Sequence, residues 1–273
     1  MMIFAYTFTL SALALCLLLT AILSFYGYHV VRRGVIFVDL SLAQVAALGA
    51  SIGIFLGFGE NRPVENFLLS LGFTFLGALL FSWFRSREKL PIEALIGITY
   101  AGAMALSLIV LEKSATGSEE LKEMLVGSIL TVSPEVLAIA AGLFTLVGAV
   151  LWIARKPLFR ITEDAAAAKS QGFRLWLWDL LFYSTFGVIV TFSVKVAGVL
   201  LVFAFLIVPS MASIMAVRGT WRRVAFGWGF GSLGCVLGLE ASLRLDWSAG
   251  PTMVAVFILL LVLVGTVSGL RRR

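Results

Sequence analysis

The stretch GYHVVRRGVIFVDLSLAQVAALGASIGIFLG, residues 27–57, decides the fold class, because it joins a basic boundary to an apolar segment that contains polar side chains. The polar side chains of that segment are Asp39, Ser41 and Gln44. Its glycines recur at every fourth residue, at Gly49, Gly53 and Gly57. An ionisable group near the bilayer centre costs roughly 2.5–3.5 kcal/mol and usually faces a partner or a cavity, and small residues at this spacing let helix backbones approach closely. The stretch therefore predicts an interior membrane helix and a candidate pathway.

Composition places the whole chain among integral membrane proteins. Of its 273 residues, 60% are hydrophobic and 13% are charged, and the mean hydropathy is +1.04. No long polar block is present in which a soluble domain could fold, so we expect a single transmembrane domain over residues 1–273. The formal charge of +6 does not indicate nucleic-acid binding, because the basic residues cluster at the ends of apolar runs, where they set topology.

Nine apolar runs approach the roughly 20 residues that a membrane helix needs. They cover residues 4–28, 35–58, 66–84, 91–112, 134–154, 176–194, 196–217, 223–242 and 251–270. Basic residues follow every odd-numbered run, so we expect these ends and the C-terminus to be cytoplasmic. The sequence thus predicts an all-α polytopic protein with about 8–9 transmembrane helices. The number depends on the boundary near Lys195, where runs six and seven form either a tight hairpin or a broken helix.

Two connections are long enough to do more than reverse the chain. Residues 119–132, EELKEMLVGSILTV, form an acidic amphipathic piece on the expected outer side, either an interfacial helix or a docking surface. On the expected cytoplasmic side, the loop 155–175 predicts a short helix with Thr162 as its N-cap and Gly172 at its end. A capped helix in such a loop favours docking to a soluble partner over a purely structural role.

The chain lacks the residue patterns of an enzyme. No HExxH, GxSxG or GxxxxGK[ST] string occurs, so we expect this chain neither to catalyse a reaction nor to hydrolyse ATP. A GxGxxG string at residues 229–234 lies inside an apolar run and follows no strand, so it indicates helix packing. Cys16 and Cys235 lie in separate apolar runs without metal-binding spacing, and we expect them to be packing residues.

Polar and helix-breaking residues within the runs are candidates for a translocation path. They are Asp39, Ser41, Gln44, Glu93, Pro209 and Ser210. For Asp39 and Gln44, structural and pathway roles both stay open, and Glu93 also fits the chemistry of a helix first turn. Pro209 blocks a backbone hydrogen bond that the neighbouring serines could replace, so its helix is compatible with a gate.

Five segments, in order and across nearly the whole chain, resemble the ABC-3 type permeases of zinc, manganese and iron importers. They are VVRRGVIFVDLSLAQVAALG, IEALIGITYAGAMALSL, LVGSILTVSPEV, VKVAGVLLVFAFLIVPSMAS and SAGPTMV. The resemblance implies a homodimer of permease subunits in a bacterial-type cytoplasmic membrane, which imports a divalent metal by alternating access. It also implies two cytoplasmic ATPases that bind the ATP, usually an extracytoplasmic solute-binding protein, and no cofactor on this chain. The helix EDAAAAKSQGF would dock the ATPase through Glu163, Asp164, Ala165, Ala168 and Gly172.

One departure from the family pattern concerns the metal. The second-helix motif of the family commonly reads G-D-x-L-x-H, whereas residues 39–44 here read DLSLAQ. Alignment on Gly49 places Gln44 at the histidine position and Asp39 one residue before the family aspartate. Because a glutamine amide is a weak zinc ligand, Asp39 and Gln44 are weak metal candidates, and either the metal passes weakly held or the substrate differs. The alternatives are a permease for a metal chelate and a membrane scaffold or sensor that transports nothing.

Overall fold

The fold is taken from a computed structural model that describes residues 7–58, 62–85, 91–112, 127 and 129–270. All regular structure in these residues is helical. The helices are α1 (Thr7–Arg33), α2 (Val38–Phe55), α3 (Pro63–Arg85), α4 (Ile92–Leu111), a 3₁₀ turn (Ile129–Thr131), α5 (Pro134–Glu163), α6 (Ala165–Ser170), α7 (Leu175–Ala197), α8 (Val199–Ala216), α9 (Thr220–Leu245) and α10 (Ala249–Leu270). All except α6 and the 3₁₀ turn are long and apolar enough to cross a membrane, which gives nine spans in the described part of the chain. The predicted all-α polytopic fold is confirmed.

The boundary near Lys195 is a break between two helices. Only Gly198 separates the end of α7 at Ala197 from the start of α8 at Val199. Gly198 has a φ of +79°, a conformation that glycine adopts far more readily than other residues. The sixth and seventh runs are therefore separate helices, and the described residues contain nine spans rather than eight.

The end of α5 differs from the prediction. The sequence placed the end of this helix near residue 154 and a loop from 155 onward, but α5 continues to Glu163. Pro157 lies inside it, a residue that usually ends a helix because it lacks the backbone donor. Leu158 and Ile161 are nevertheless buried, so the apolar face of the span continues past the proline and stabilises the extra turns.

The predicted acidic piece, residues 119–132, is only partly covered. Residues 119–126 and 128 lie outside the described residues, and the end of the piece forms the 3₁₀ turn at Ile129–Thr131. The choice between an interfacial helix and a docking surface stays a prediction.

The chain divides into two compact units. The first contains α1 up to Val31, α5 up to Gly148, and the chain from Val196 onward. Within it, a Cβ at Gly231 would lie 2.6 Å from Thr20 Cγ2, and a Cβ at Gly234 would collide with the ring of Phe257. These are two glycines of the GxGxxG string, so its interpretation as helix packing is confirmed.

The second unit contains the chain from Arg32 through α4 and from Ala149 to Lys195. In this unit α2 packs on α3 and α4. A Cβ at Gly49 would lie only 2.9 Å from Ser70 Cα, and Val45 and Leu48 form an apolar cluster with Ala103 of α4. Gly49 and Gly53 therefore serve the close helix contact that the sequence predicted, whereas Gly57 lies beyond the end of α2, where a Cβ would meet no described residue.

Candidate functional site

The three polar side chains of α2 lie at different depths. Asp39 is 2% exposed and Ser41 is fully buried, whereas Gln44 is half-buried. Neither Asp39 Oδ1 nor the Ser41 hydroxyl has a hydrogen-bond partner among the described residues. Because most buried polar atoms are hydrogen-bonded, these two oxygens are available to a ligand, although buried oxygens without a partner also occur on other helices, such as Ser193 and Ser210.

The same three side chains do not share one face of α2. Successive residues of an α-helix are rotated by about 100°, so Ser41 and Gln44 are about 60° apart around the axis and Asp39 and Gln44 about 140° apart. An aspartate at the position of Leu40 would lie one turn before Gln44 and close to its face. The one-residue shift of Asp39 therefore means that α2 alone does not present Asp39 and Gln44 to one metal ion.

Glu93 fixes the start of α2. Its Oε1 accepts a hydrogen bond of 2.8 Å from the backbone N–H of Ile36, just before α2 begins. The first N–H groups of a helix have no partner within the helix, and a carboxylate near them is favoured by the helix dipole. Of the two roles predicted for Glu93, this contact supports the structural one.

Pro209 and Ser210 lie in α8, in the first unit, and both are buried. Pro209 frees the carbonyl of Phe205, four residues earlier. The Ser213 hydroxyl donates instead to the Ser210 carbonyl, at 2.7 Å, and the Ser210 hydroxyl has no partner in the part of the chain that the structure describes. The expectation that these serines replace the bond lost at the proline is therefore wrong.

The cap of α6 also differs from the prediction. Asp164, not Thr162, is the N-cap, and its side-chain oxygen accepts a hydrogen bond of 2.9 Å from the backbone N–H of Ala167. Thr162 still belongs to α5, where its hydroxyl accepts a hydrogen bond of 2.7 Å from Arg33 Nε. The cap lies two residues later than predicted because α5 continues through Thr162 and Glu163.

Exposure separates the predicted coupling residues into two groups. Glu163, Asp164 and Gly172 are exposed and Ala165 is half-buried, but Ala168 is fully buried. Ala168 therefore anchors α6 on the rest of its unit, and only the other four residues are accessible to a partner. Gly172 ends the helix, as predicted, with a φ of +86°.

The structure brings together a charged cluster that the sequence analysis did not identify. Asp179 of α7 forms ion pairs with Arg33 NH1 at 2.8 Å and with Arg85 NH1 at 3.1 Å. The exposed fractions of the side chains are 0% for Arg33, 17% for Arg85 and 3% for Asp179. The guanidinium carbon of Arg33 also lies 4.2 Å from the ring centroid of Phe182, a favourable cation–π distance.

One signal in the sequence could have revealed this cluster. Asp179 is an acid inside the apolar segment LWLWDLLFY, and such residues need a partner in a membrane helix. Arg33 and Arg85 were counted only as basic ends that set topology. In the structure they share one carboxylate, so the cluster holds two positive groups and one negative group largely away from water.

No group of three His, Cys, Asp or Glu side chains that could hold a metal ion is present among the described residues. The polar atoms of the candidate path on α2 are oxygens and one amide nitrogen. Such oxygen donors suit hard cations such as Mn²⁺ better than they suit zinc, which prefers histidine and cysteine.

Comparison of the sequence with known protein families identifies the family of the chain. The profile described as the ABC 3 transport family matches residues 5–268. The chain belongs to this family. It is 24% identical over 237 residues to the manganese import system permease protein ScaB of Streptococcus parasanguinis, covering 86% of this chain and 82% of that protein.

Two further comparisons also cover most of this chain and most of the matched protein. The chain is 22% identical over 253 residues to the high-affinity zinc uptake system membrane protein ZnuB of Haemophilus influenzae, which covers 92% of this chain and 94% of that one. Its fold matches a solved structure described as PsaBC from Streptococcus pneumoniae in complex with Fab, with a TM-score of 0.81 at 20% identity, over 96% of this chain and 92% of that chain. The resemblance stated from five sequence segments is thus confirmed.

Proposed function

We propose that this ABC 3 family protein is the membrane permease subunit of an ATP-driven importer of divalent metal ions. The observation that carries the proposal is the family match over residues 5–268, in a chain whose α6 is capped and exposed in the way that a docking helix requires. In this proposal residues 1–273 form one permease domain in the cytoplasmic membrane of a bacterium. Two copies work together with cytoplasmic ATPase subunits, which hydrolyse the ATP, and with an extracytoplasmic solute-binding protein.

The orientation follows from the basic ends of the odd-numbered spans. The C-terminus and α6 are then cytoplasmic, and α6 docks the ATPase through Glu163, Asp164, Ala165 and Gly172. Ala168 supports this surface from behind because it is buried.

The metal path runs along α2. Asp39 and Ser41 supply buried oxygens that have no partner among the described residues, and Gln44 supplies an amide oxygen. Pro209 and Ser210 of α8, in the first unit, are separate candidates: Pro209 removes one backbone donor inside a continuous helix, and Ser210 supplies a second buried hydroxyl. Because these donors are oxygens, the path suits manganese better than zinc, and the metal passes weakly held.

The test is reconstitution of the chain with its ATPase subunits in proteoliposomes, with ATP in the compartment that α6 faces and the solute-binding protein on the opposite side. We expect ATP-dependent uptake of Mn²⁺ that exceeds uptake of Zn²⁺ at equal free concentration. Uptake only of a chelated metal would replace the free-ion substrate by a chelate. Absence of any ATP-dependent metal uptake, with the ATPase bound, would contradict the proposal as a whole.

A further inference from the structure

Arg33, the last residue of α1, makes three contacts at one point of the second unit. Its Nε donates to Thr162 Oγ1 at 2.7 Å, its NH1 donates to Asp179 Oδ1 at 2.8 Å, and its guanidinium lies over the ring of Phe182. Its side chain is fully buried. A planar guanidinium with several fixed donors is well suited to hold neighbouring elements in one geometry.

One of these contacts leads directly to α6. Thr162 lies two residues before Asp164, the cap of that helix, and only Asp164 separates α5 from α6. The backbone N–H of Asp164 donates to the Arg160 carbonyl at 3.1 Å, so the junction continues the hydrogen bonding of α5. A displacement of α6 is therefore expected to move the Thr162 hydroxyl with it, because no flexible linker lies between them.

The backbone of Arg33 leads in the other direction, to α2. Gly34 follows with a φ of +67°, and the backbone N–H of Ile36 is held by Glu93 at 2.8 Å. Asp39, in the first turn of α2, is only six residues after Arg33 in the sequence. A shift of the Arg33 side chain therefore reaches the start of α2 through a short segment that is fixed at both ends.

We propose that Arg33 is a positioning residue that transmits the movement of α6 to α2 through its hydrogen bond with Thr162. The proposal rests on the proposed function, because it assumes that an ATPase moves α6 and that α2 lines the path. Asp179 and Arg85 then have a defined part, since the shared carboxylate keeps the Arg33 guanidinium oriented toward Thr162, so that the guanidinium shifts together with the Thr162 hydroxyl. Coupling between distant sites requires such a physical element, and its existence has to be shown by a coupling measurement.

The test compares two substitutions of Thr162 in the reconstituted transporter with its ATPase subunits. Thr162→Val keeps the shape of the side chain but removes the oxygen that accepts from Arg33, whereas Thr162→Ser keeps the oxygen. The measured quantity is the number of Mn²⁺ ions transported per ATP hydrolysed. We expect Thr162→Val to lower this ratio by about five-fold, with the ATPase still bound, and Thr162→Ser to stay near wild type.

Thr185→Val is the matched control. Among the described residues, the Thr185 hydroxyl bonds to carbonyls of its own helix, at 2.7 Å from the Leu181 oxygen and 3.1 Å from the Phe182 oxygen. The same loss of a hydroxyl at this position should leave the ratio unchanged. A general loss of stability would lower the amount of active protein in each variant, but it would not lower the transport per ATP.

A double-mutant cycle with Arg33→Lys, which lacks Nε, completes the design. If Arg33 acts through Thr162, the effects of Arg33→Lys and Thr162→Val on the ratio should be far from additive. An unchanged ratio in Thr162→Val, or strictly additive effects in the cycle, would overturn the inference while leaving the importer function intact. A wild-type chain without ATP-dependent uptake in the same assay would overturn both.

Discussion

Replacing Asp179 with asparagine should destabilise the protein far more than the loss of an exposed ion pair, because it leaves two guanidinium groups without their shared carboxylate. Breaking a buried pair by removing one partner costs about 3–5 kcal/mol. Arg33 cannot reach water without moving, since its side chain is fully buried, whereas Arg85 is 17% exposed and can turn outward. The asparagine amide oxygen still accepts one hydrogen bond, so we expect a loss of about 3 kcal/mol, the lower end of that range.

A loss of this size is measurable as a shift of the thermal midpoint. For large domains, 1 kcal/mol corresponds to roughly 2–4 °C, so Asp179→Asn should lower the midpoint by about 6–12 °C. Intrinsic fluorescence of the purified permease in lipid nanodiscs is a suitable signal, because the chain contains seven tryptophans. All variants should be heated at one scan rate, since unfolding of such proteins is often irreversible.

Arg244→Gln provides the control for a single broken ion pair. Arg244 NH2 contacts Glu240 Oε1 at 2.8 Å within α9, but the Arg244 side chain is 63% exposed. Exposed pairs of this kind contribute about 0.3–0.5 kcal/mol, which is a shift of roughly 1–2 °C. Equal shifts in Asp179→Asn and Arg244→Gln would refute the reasoning that burial makes the Asp179 cluster critical.

Three further outcomes are expected. Gln44→His should raise uptake of Zn²⁺ relative to Mn²⁺ in proteoliposomes by about ten-fold, because imidazole is a better zinc ligand than an amide; an unchanged ratio would place this side chain outside the path. Asp164→Ala should remove about 1 kcal/mol from the cap of α6 and weaken binding of the ATPase by roughly five-fold, while Asp164→Asn keeps a capping oxygen and should bind normally; weak binding by both variants would indicate a direct charge contact instead. Gly231→Ala should lower the thermal midpoint, because the new Cβ would lie 2.6 Å from Thr20 Cγ2 and overpacking costs about 1–3 kcal/mol. Gly229→Ala is the control and should leave the midpoint unchanged, because the space around Gly229 is open.

The spans could be predicted from the sequence because a membrane helix is a local property. Length, apolar character and basic ends are all contained in one contiguous segment, so each of the nine runs corresponds to a spanning helix in the described residues. The extension of α5 to Glu163 could not be predicted in the same way, since Pro157 argues locally for a helix end. Burial of Leu158 and Ile161 by other parts of the chain overrides that preference.

The candidate site was predictable only in part, for a related reason. The polar residues of α2 and the helix α6 stand out in sequence because polar groups are rare in apolar runs and capped helices have a local pattern. The cluster around Asp179 depends on three helices that are far apart in the sequence, and the hydrogen bond between Thr162 and Arg33 spans 129 residues. The same distance explains the wrong cap, because Thr162 is an acceptor for Arg33 rather than for the first turn of α6.

The pairing of Arg33 and Arg85 with Asp179 has a consequence for biogenesis. Helix orientation is set during insertion, before tertiary contacts exist, by the count of Lys and Arg in short loops, to which Asp and Glu contribute little. Both arginines can therefore keep their helix ends on the cytoplasmic side while the chain is being inserted. They become buried only later, when α7 packs against them and Asp179 pairs with both. A variant that lacks Asp179 should insert with the normal orientation, as measured by labelling of introduced cysteines, and then form the less stable folded protein expected above. Arg33 and Arg85 thus first determine the orientation of the helices and afterwards form the buried ion pairs that hold them together.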